Sequence, residues 1–177
     1  MTYTTVEQSK RLMELRLNPD SADMSYSDKS IRGMNHTDTF AVSLMPYKKH
    51  KQFIENITNT QKGVCYWTVL PCWSAECLLN LLPDIIKTGD EARNWYWINI
   101  HKEPYQISYG NDLGSSGSWH DMVNSSQSYE LIDAVYNMAE WILETANKKE
   151  FPFDNELNNE LYGRLGRTTE KEIVRSI

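Results

Sequence analysis

Residues 94–110 read NWYWINIHKEPYQISYG, and this stretch decides the fold that we predict for the chain. Apolar and polar side chains alternate in each half, which is typical of two half-buried β-strands. A reversal around Lys102-Glu103 pairs Ile98 with Ile107 and leaves Pro104 at the start of the second strand, where its missing N–H costs least. This one register places apolar side chains opposite each other on one face and leaves the polar side chains and the indoles on the other face. We therefore predict an antiparallel hairpin.

The opposite face of this hairpin carries two indoles and two polar side chains. In the predicted register Trp95 lies opposite Gly110, and an indole there covers the glycine. Large amphipathic aromatics dominate the energetics of protein interfaces. We therefore predict a binding surface made of Trp95, Trp97, Asn99 and His101; the alternative is that a second layer covers this side and the indoles belong to the core.

The segment that precedes the hairpin, residues 70–84, reads LPCWSAECLLNLLPD and predicts a short helix. Ser74 is a favourable N-cap, Glu76 places negative charge in the first turn, and Pro83 forbids continuation. A helix of about two turns is too short to be stable alone, so it must pack on the rest of the domain. The β-branched and aromatic run at 64–70 predicts a strand that leads into it.

The remaining chain predicts a small α+β domain over residues 1–150. A small antiparallel sheet, made of the hairpin at about 94–110 and one or two further strands, is packed by about three helices. Residues 151–177 form a C-terminal extension with short helical pieces. The other predicted segments are a helix at 4–17 with two capping registers (Thr4 with Glu7, Thr5 with Gln8), a polar loop at 21–39, a strand at 40–45, a basic helix at 47–57, a flexible loop at 112–118, a strand at 119–123 and a long helix at 128–146.

The charge of the chain is unevenly distributed. Its 18 Lys and Arg against 24 Asp and Glu give a formal net charge of −6, and residues 103–160 hold eleven acidic against two basic side chains. Because phosphate contacts need clustered Lys and Arg, we expect no nucleic-acid binding. An acidic face that imitates nucleic acid is a third functional alternative. The chain shows no apolar run long enough for a membrane span and no secretory signal, so we expect no membrane partner and a cytoplasmic location.

The three cysteines of the chain do not predict a disulfide framework. Cys65, Cys72 and Cys77 are odd in number and match no common zinc-ligand spacing, so we expect reduced thiols, no metal and no cofactor. Cys72 just before a helix start is a candidate nucleophile, because the helix dipole lowers a thiol pKa. A catalytic constellation then requires His101 or His120 beside it.

Three segments in order resemble a family of small uncharacterised proteins carried by phages and other mobile elements of gut bacteria. They are TVEQSKRLMELRLNPDSADM at 5–24, LPCWSAECLLNLLP at 70–83 and LIDAVYNMAEWILE at 131–144. The resemblance implies a setting on a mobile element and brings no activity, cofactor or catalytic residue with it. We expect a non-enzymatic accessory module that binds a protein partner, with a small cysteine-dependent enzyme as the alternative.

Overall fold

The computed structural model describes residues 2–31, 40–60, 65–87, 95–111 and 121–148. Within these ranges the chain forms four α-helices, one 3-10 turn and seven strands, which confirms the predicted α+β class. In chain order the elements are α1 (Val6–Glu14), the 3-10 turn (Pro19–Ser21), β1 (Met24–Ile31), β2 (Ala41–Ser43), α2 (Tyr47–Thr60), β3 (Cys65–Cys72), α3 (Ala75–Leu81), β4 (Ile85–Lys87), β5 (Trp95–His101), β6 (Tyr105–Asn111), β7 (Asp121–Ser128) and α4 (Leu131–Lys148). None of the helices in these ranges combines the length and apolar character that a membrane span requires.

The strands form two antiparallel sheets rather than the one that the sequence predicts. A three-stranded sheet has the order β2-β1-β3, and a four-stranded sheet has the order β4-β5-β6-β7. The predicted sheet around the hairpin corresponds to the second of these. The first was missed because its central strand, β1, lies in the stretch 21–39 that the sequence predicts to be loop.

The loop prediction for residues 21–39 is therefore wrong for β1. This strand pairs along its whole length with β3, from Met24 opposite Cys72 to Ile31 opposite Cys65. Its sequence, MSYSDKSI, lacks the apolar content of a typical buried strand. Backbone pairing on both sides holds it, because β1 is the central strand of its sheet, and Met24 and Tyr26 are buried in a cluster with Cys72.

The helix α3 begins as its sequence predicts. The Ser74 side chain accepts a hydrogen bond from the N–H of Cys77 at 3.1 Å, and its hydroxyl donates to the carboxylate of Asp23 at 2.5 Å. The strand β3 runs two residues beyond its predicted end at Leu70, so strand and helix are separated only by Trp73 and Ser74. Trp73 is fully buried, and this tight connection anchors α3 to the core.

The main core lies between α4 and the inner face of the four-stranded sheet. Ile107 and Tyr109 of β6 are fully buried there against α4, whose Val135 and Met138 are fully buried as well. Each such aliphatic side chain contributes about 1.5–3 kcal/mol to folding. The hydroxyl of Tyr109 donates to the carbonyl of Pro83 at 2.6 Å, which ties the sheet to the end of α3.

The first helix is held by a capping box and by ion pairs to α4. Of the two predicted registers the chain uses Thr5 with Gln8, and α1 ends at Glu14 rather than at Leu17. The Nε of Arg11 donates to Glu140 at 2.9 Å and another guanidinium nitrogen contacts Glu144. These carboxylates raise the pKa of Arg11 above its ordinary value.

The hairpin forms between β5 and β6, but its register differs from the predicted one by two residues. Ile98 lies opposite Tyr109 rather than Ile107, and Ile100 lies opposite Ile107. The turn is centred one residue later than predicted because Pro104, which cannot donate to the ladder, is accommodated in the turn. A shift of two residues preserves the alternation, so the predicted division of the strands into two faces is retained.

Several sequence predictions lie outside the described residues. These are the loop at 112–118, the start of the strand predicted at 119–123, the site candidate His120 and the C-terminal extension at 151–177. The strand β7 begins within the predicted segment and continues to Ser128, and α4 begins three residues after the predicted start at Ser128.

Candidate functional site

The side of the four-stranded sheet opposite α4, which we call the outer face, is the candidate site. Ile107 and Tyr109 are buried on the inner side, and successive side chains of a strand point to opposite sides of the sheet. The residues that alternate with them in β6, and the residues paired with those on the other strands, therefore belong to the outer face. The described helix that packs on this sheet is α4, which lies on the inner side. The described side chains of the outer face are those of Ile85, Trp97, Asn99, His101, Gln106, Ser108, Ser125 and Gln127, with Gly110 among them.

Trp97 is the most prominent side chain of the outer face. It lies between two cross-strand neighbours, Ile85 on β4 and Gly110 on β6. Because Gly110 has no side chain, the indole can lie over the backbone of β6 while its other side faces outward. Trp97 is 37% exposed, whereas Gly110 is buried. The predicted pairing of Gly110 with Trp95 is thus wrong, and Trp97 takes that position.

Polar side chains of the outer face are linked to each other and to the backbone. The amide of Asn99 donates to the carbonyl of Trp97 at 3.0 Å, which holds the Asn99 side chain along its own strand. The amide of Gln106 donates to the hydroxyl of Ser125 at 2.9 Å, across from β6 to β7. Ser108, which lies between Asn99 and Ser125 in the register, is buried. Such links reduce the side-chain entropy that binding would otherwise cost.

The described side chains of the outer face are uncharged, and the strand register also places Lys87, whose side chain lies outside the described residues, on this face. These described side chains are one indole, one aliphatic group, amides, hydroxyls and the imidazole of His101, with no Asp, Glu, Lys or Arg among them. Side chains of this kind can stack on or bury an apolar group and form hydrogen bonds, but they offer no cationic site for phosphate. It is therefore suited to an uncharged partner surface.

The structure brings together most of the predicted binding residues. Trp97, Asn99 and His101 share the outer face, and His101 is exposed near the turn of the hairpin. Trp95 belongs to β5, and its side chain lies outside the described residues.

Sequence reasoning placed Gln106 on this side of the hairpin, opposite Asn99, without counting it among the binding residues, and it did not assign Ser125 or Gln127 to this surface. The last two lie on β7, whose sequence DMVNSSQS has no apolar alternation, so no signal marked it as a strand beyond Val123. The alternation in β6 was the available signal for Gln106.

Cys72, the candidate nucleophile, has the environment of a structural thiol. It is fully buried, and its Sγ lies 3.8 Å from the carbonyl oxygen of Thr4. Burial raises the pKa of the Cys72 thiol to about 11. Reactive thiols are partly exposed and have lowered pKa values, so both observations argue against nucleophilic chemistry.

Of the two candidate histidines, His101 does not lie beside Cys72, and His120 is outside the described residues. Cys72 ends β3 in one sheet, whereas His101 ends β5 in the other. The helix that follows Cys72, α3, has only seven residues, and burial likewise raises the pKa of Cys77 to about 12. Among the described residues no group of three or more His, Cys, Asp or Glu side chains is arranged to hold a metal ion.

The carboxylates of α4 do not form an open acidic face. Glu140 and Glu144 contact Arg11, and Asp133 accepts a hydrogen bond from the amide of Gln8 at 3.0 Å. These acidic side chains thus connect α4 to α1. A nucleic-acid mimic requires carboxylates that point together into solvent, so their use between the helices argues against that alternative.

Comparisons with known proteins add no assignment. A scan against protein-family models, a search of curated proteins and a search of solved structures each found no match.

Proposed function

We propose that this chain is a non-enzymatic protein-interaction module that binds its partner through the outer face. The observation that carries the proposal is the indole of Trp97, which is 37% exposed on the side of the sheet that no described helix covers. Tryptophan is enriched among the residues that contribute most to binding, since burying its large ring excludes much water. The sheet behind it is fixed by the core, so the indole is presented from a rigid element.

The partner is a protein surface with an apolar recess for the indole and polar groups around it. Asn99, Gln106 and Gln127 supply amide donors and acceptors, and Ser125 supplies a hydroxyl. Since the described side chains of the outer face carry no formal charge, their contacts with the partner depend little on ionic strength. The resemblance to proteins of phages and mobile elements supports an accessory role in such an element.

The rival functions receive less support from the same observations. A cysteine-dependent enzyme needs an accessible thiolate, whereas Cys72 is buried with a raised pKa. A nucleic-acid mimic would bind its basic partner with strong salt dependence. Salt dependence therefore separates the mimic from the proposed interaction module.

Affinity purification from cells of the native host tests the proposal. The tagged chain is compared with the Trp97→Ala variant and with Phe53→Ala, a control that removes another exposed aromatic, on α2. We expect the wild type and Phe53→Ala to recover the same protein, and Trp97→Ala to lose it while keeping the circular dichroism spectrum of the wild type. Binding is then measured with the purified partner at low and high salt.

Two results would count against the proposal. One is the absence of any protein that the wild type recovers reproducibly. The other is equal affinity of wild type and Trp97→Ala for the purified partner, which would place the interface elsewhere.

A further inference from the structure

The exposed face of α2 combines positive charge with an aromatic ring. Phe53 is 53% exposed and follows Lys49 by four residues, so the two side chains are neighbours on the helix surface. The first acidic residue of the helix is Glu55, after this part of the surface. We use the name basic face for the exposed side chains of Lys48, Lys49, Lys51 and Phe53.

Contacts within the described chain neutralise only part of this charge. The Nζ of Lys48 lies 3.4 Å from a carboxylate oxygen of Asp20, and both side chains are largely in solvent. The Nζ of Lys51 lies 6.0 Å from the centre of the Tyr47 ring. Among the described residues, neither Lys49 nor Lys51 has a carboxylate within ion-pair distance. Two positive charges are therefore left for a further acidic group.

A segment of the same chain has the complementary composition. Residues 150–160, EFPFDNELNNE, contain four acidic and no basic side chains, together with two phenylalanines. This segment follows α4 and lies outside the described residues. Carboxylates attract the lysines of the basic face, and its phenylalanines can bury the exposed ring of Phe53.

The direction of α4 delivers this segment to the side of the molecule where α2 begins. Gln8 contacts Asp133 near the start of α4, and Arg11 contacts Glu144 near its end, so α1 and α4 run in the same direction. The end of α1 leads through four residues to the 3-10 turn, which contacts α2. The connection and the turn together span at most about 25 Å, whereas residues 149–160 can span about 40 Å.

We propose that residues 150–160 bind across the basic face of α2 in the same molecule. Their carboxylates lie beside Lys49 and Lys51, and a phenylalanine ring packs on Phe53. A segment tethered to its own binding surface has an effective concentration on the order of millimolar. The tether therefore favours this segment over a separate acidic protein or the same segment of a second copy. While it is bound, the basic face is closed to other acidic molecules.

Crosslinking of the full chain with a zero-length carbodiimide tests the contact, because this reagent joins a lysine amine to a carboxylate that it touches. Peptide mass spectrometry should find adducts of Lys49 or Lys51 with residues 150–160. Lys102, which is exposed at the turn of the hairpin, is the reference lysine. We expect its adducts with the segment to be about tenfold rarer, and the α2 adducts to fall several-fold in 1 M salt, which screens exposed charges.

Amide hydrogen exchange of α2 supplies an independent readout. The variant Asp154→Asn/Glu156→Gln removes two charges from the segment, and the control Glu170→Gln/Glu172→Gln removes two charges beyond it. Loss of two ion pairs at an exposed surface should speed exchange of the α2 amides about threefold in the segment variant. The control should exchange like the wild type.

Isotope labelling distinguishes a contact within one molecule from a contact between two. A mixture of unlabelled and nitrogen-15 chains should give adducts of uniform label only, whereas mixed adducts would assign the contact to a second copy and refute the proposal. Equal adducts of α2 and Lys102 with the segment, or equal exchange of the segment variant and its control, would also refute it. Trp97→Ala alters the outer face alone, so it should leave the α2 adducts unchanged even if partner binding is lost.

Discussion

At the scale of single residues, a buried serine and histidine hold the loop between β2 and α2. The hydroxyl of Ser25 lies 2.8 Å from the carbonyl oxygen of Met45 and 2.7 Å from Nδ1 of His50. A hydroxyl has one proton and the carbonyl can only accept, so Nδ1 of His50 must carry a proton and donate to Ser25. The neutral imidazole is thereby fixed in one tautomer.

Replacing Ser25 with alanine should destabilise the fold by about 1–3 kcal/mol, because a buried N–H and a carbonyl both lose their partner. Urea unfolding at neutral pH measures this loss. The control Ser27→Ala, two residues along the same strand and partly exposed, should change stability by less than about 0.5 kcal/mol. Equal effects of the two substitutions would show that the Ser25 hydroxyl contributes nothing specific.

His50 should also make stability depend on pH. Burial lowers the pKa of His50 below its ordinary value, so the unfolded chain binds a proton more readily than the folded one. Stability should therefore fall as pH drops below about 6.5, until the lowered pKa of the folded state is reached. Urea unfolding between pH 7.5 and 5 should show a steeper loss for the wild type than for His50→Gln. If the stability of the wild type and of His50→Gln fell in parallel with pH, His50 would not be the source of the pH dependence.

The thiol of Cys72 should be inert in the native state. With a pKa of about 11 and no solvent exposure, it should resist iodoacetamide at pH 8 and react only when urea unfolds the chain. Peptide mass spectrometry after timed labelling measures this. Rapid native labelling of Cys72 at neutral pH would revive the cysteine-enzyme alternative.

At the scale of elements, the sequence predicts helices and their ends best, because these depend on residues close together in the chain. The Ser74 cap and the apolar stripe of α4 are local patterns that form as expected, and the capping box of α1 uses Thr5, the second of the two predicted registers. The strands β1 and β7 were missed wholly or in part because they contain too few apolar residues for alternation to mark them, and pairing with neighbouring strands helps to hold them. The hairpin register was missed by two residues because turn geometry at Pro104 decides it.

The cap of α3 provides a test at this scale. Ser74→Ala removes the acceptor for the N–H of Cys77 and the donor to Asp23, so it should destabilise the protein by about 1–2 kcal/mol. A double-mutant cycle with Asp23→Ala, followed by urea unfolding, separates the two contributions. Strictly additive effects would mean that the contact between Ser74 and Asp23 does not stabilise the helix start.

At the scale of the whole molecule, the candidate site follows from how the two faces of one sheet are used. α4 covers the inner face and buries Ile107 and Tyr109, while the outer face keeps Trp97 partly exposed. Alternation in the sequence was sufficient to place Trp97, Asn99 and His101 together. It did not decide whether that side is covered, because burial of a sheet face depends on elements far away in the chain.

The central claim is that a protein partner contacts the outer face. Its most direct test is a photo-crosslinking amino acid placed at Trp97, and separately at Phe53 on α2, in the full chain expressed in cells of the native host. We expect position 97 to crosslink to one defined protein that position 53 does not capture. The claim would be contradicted if position 97 gave no specific adduct while the unmodified chain still recovered its partner.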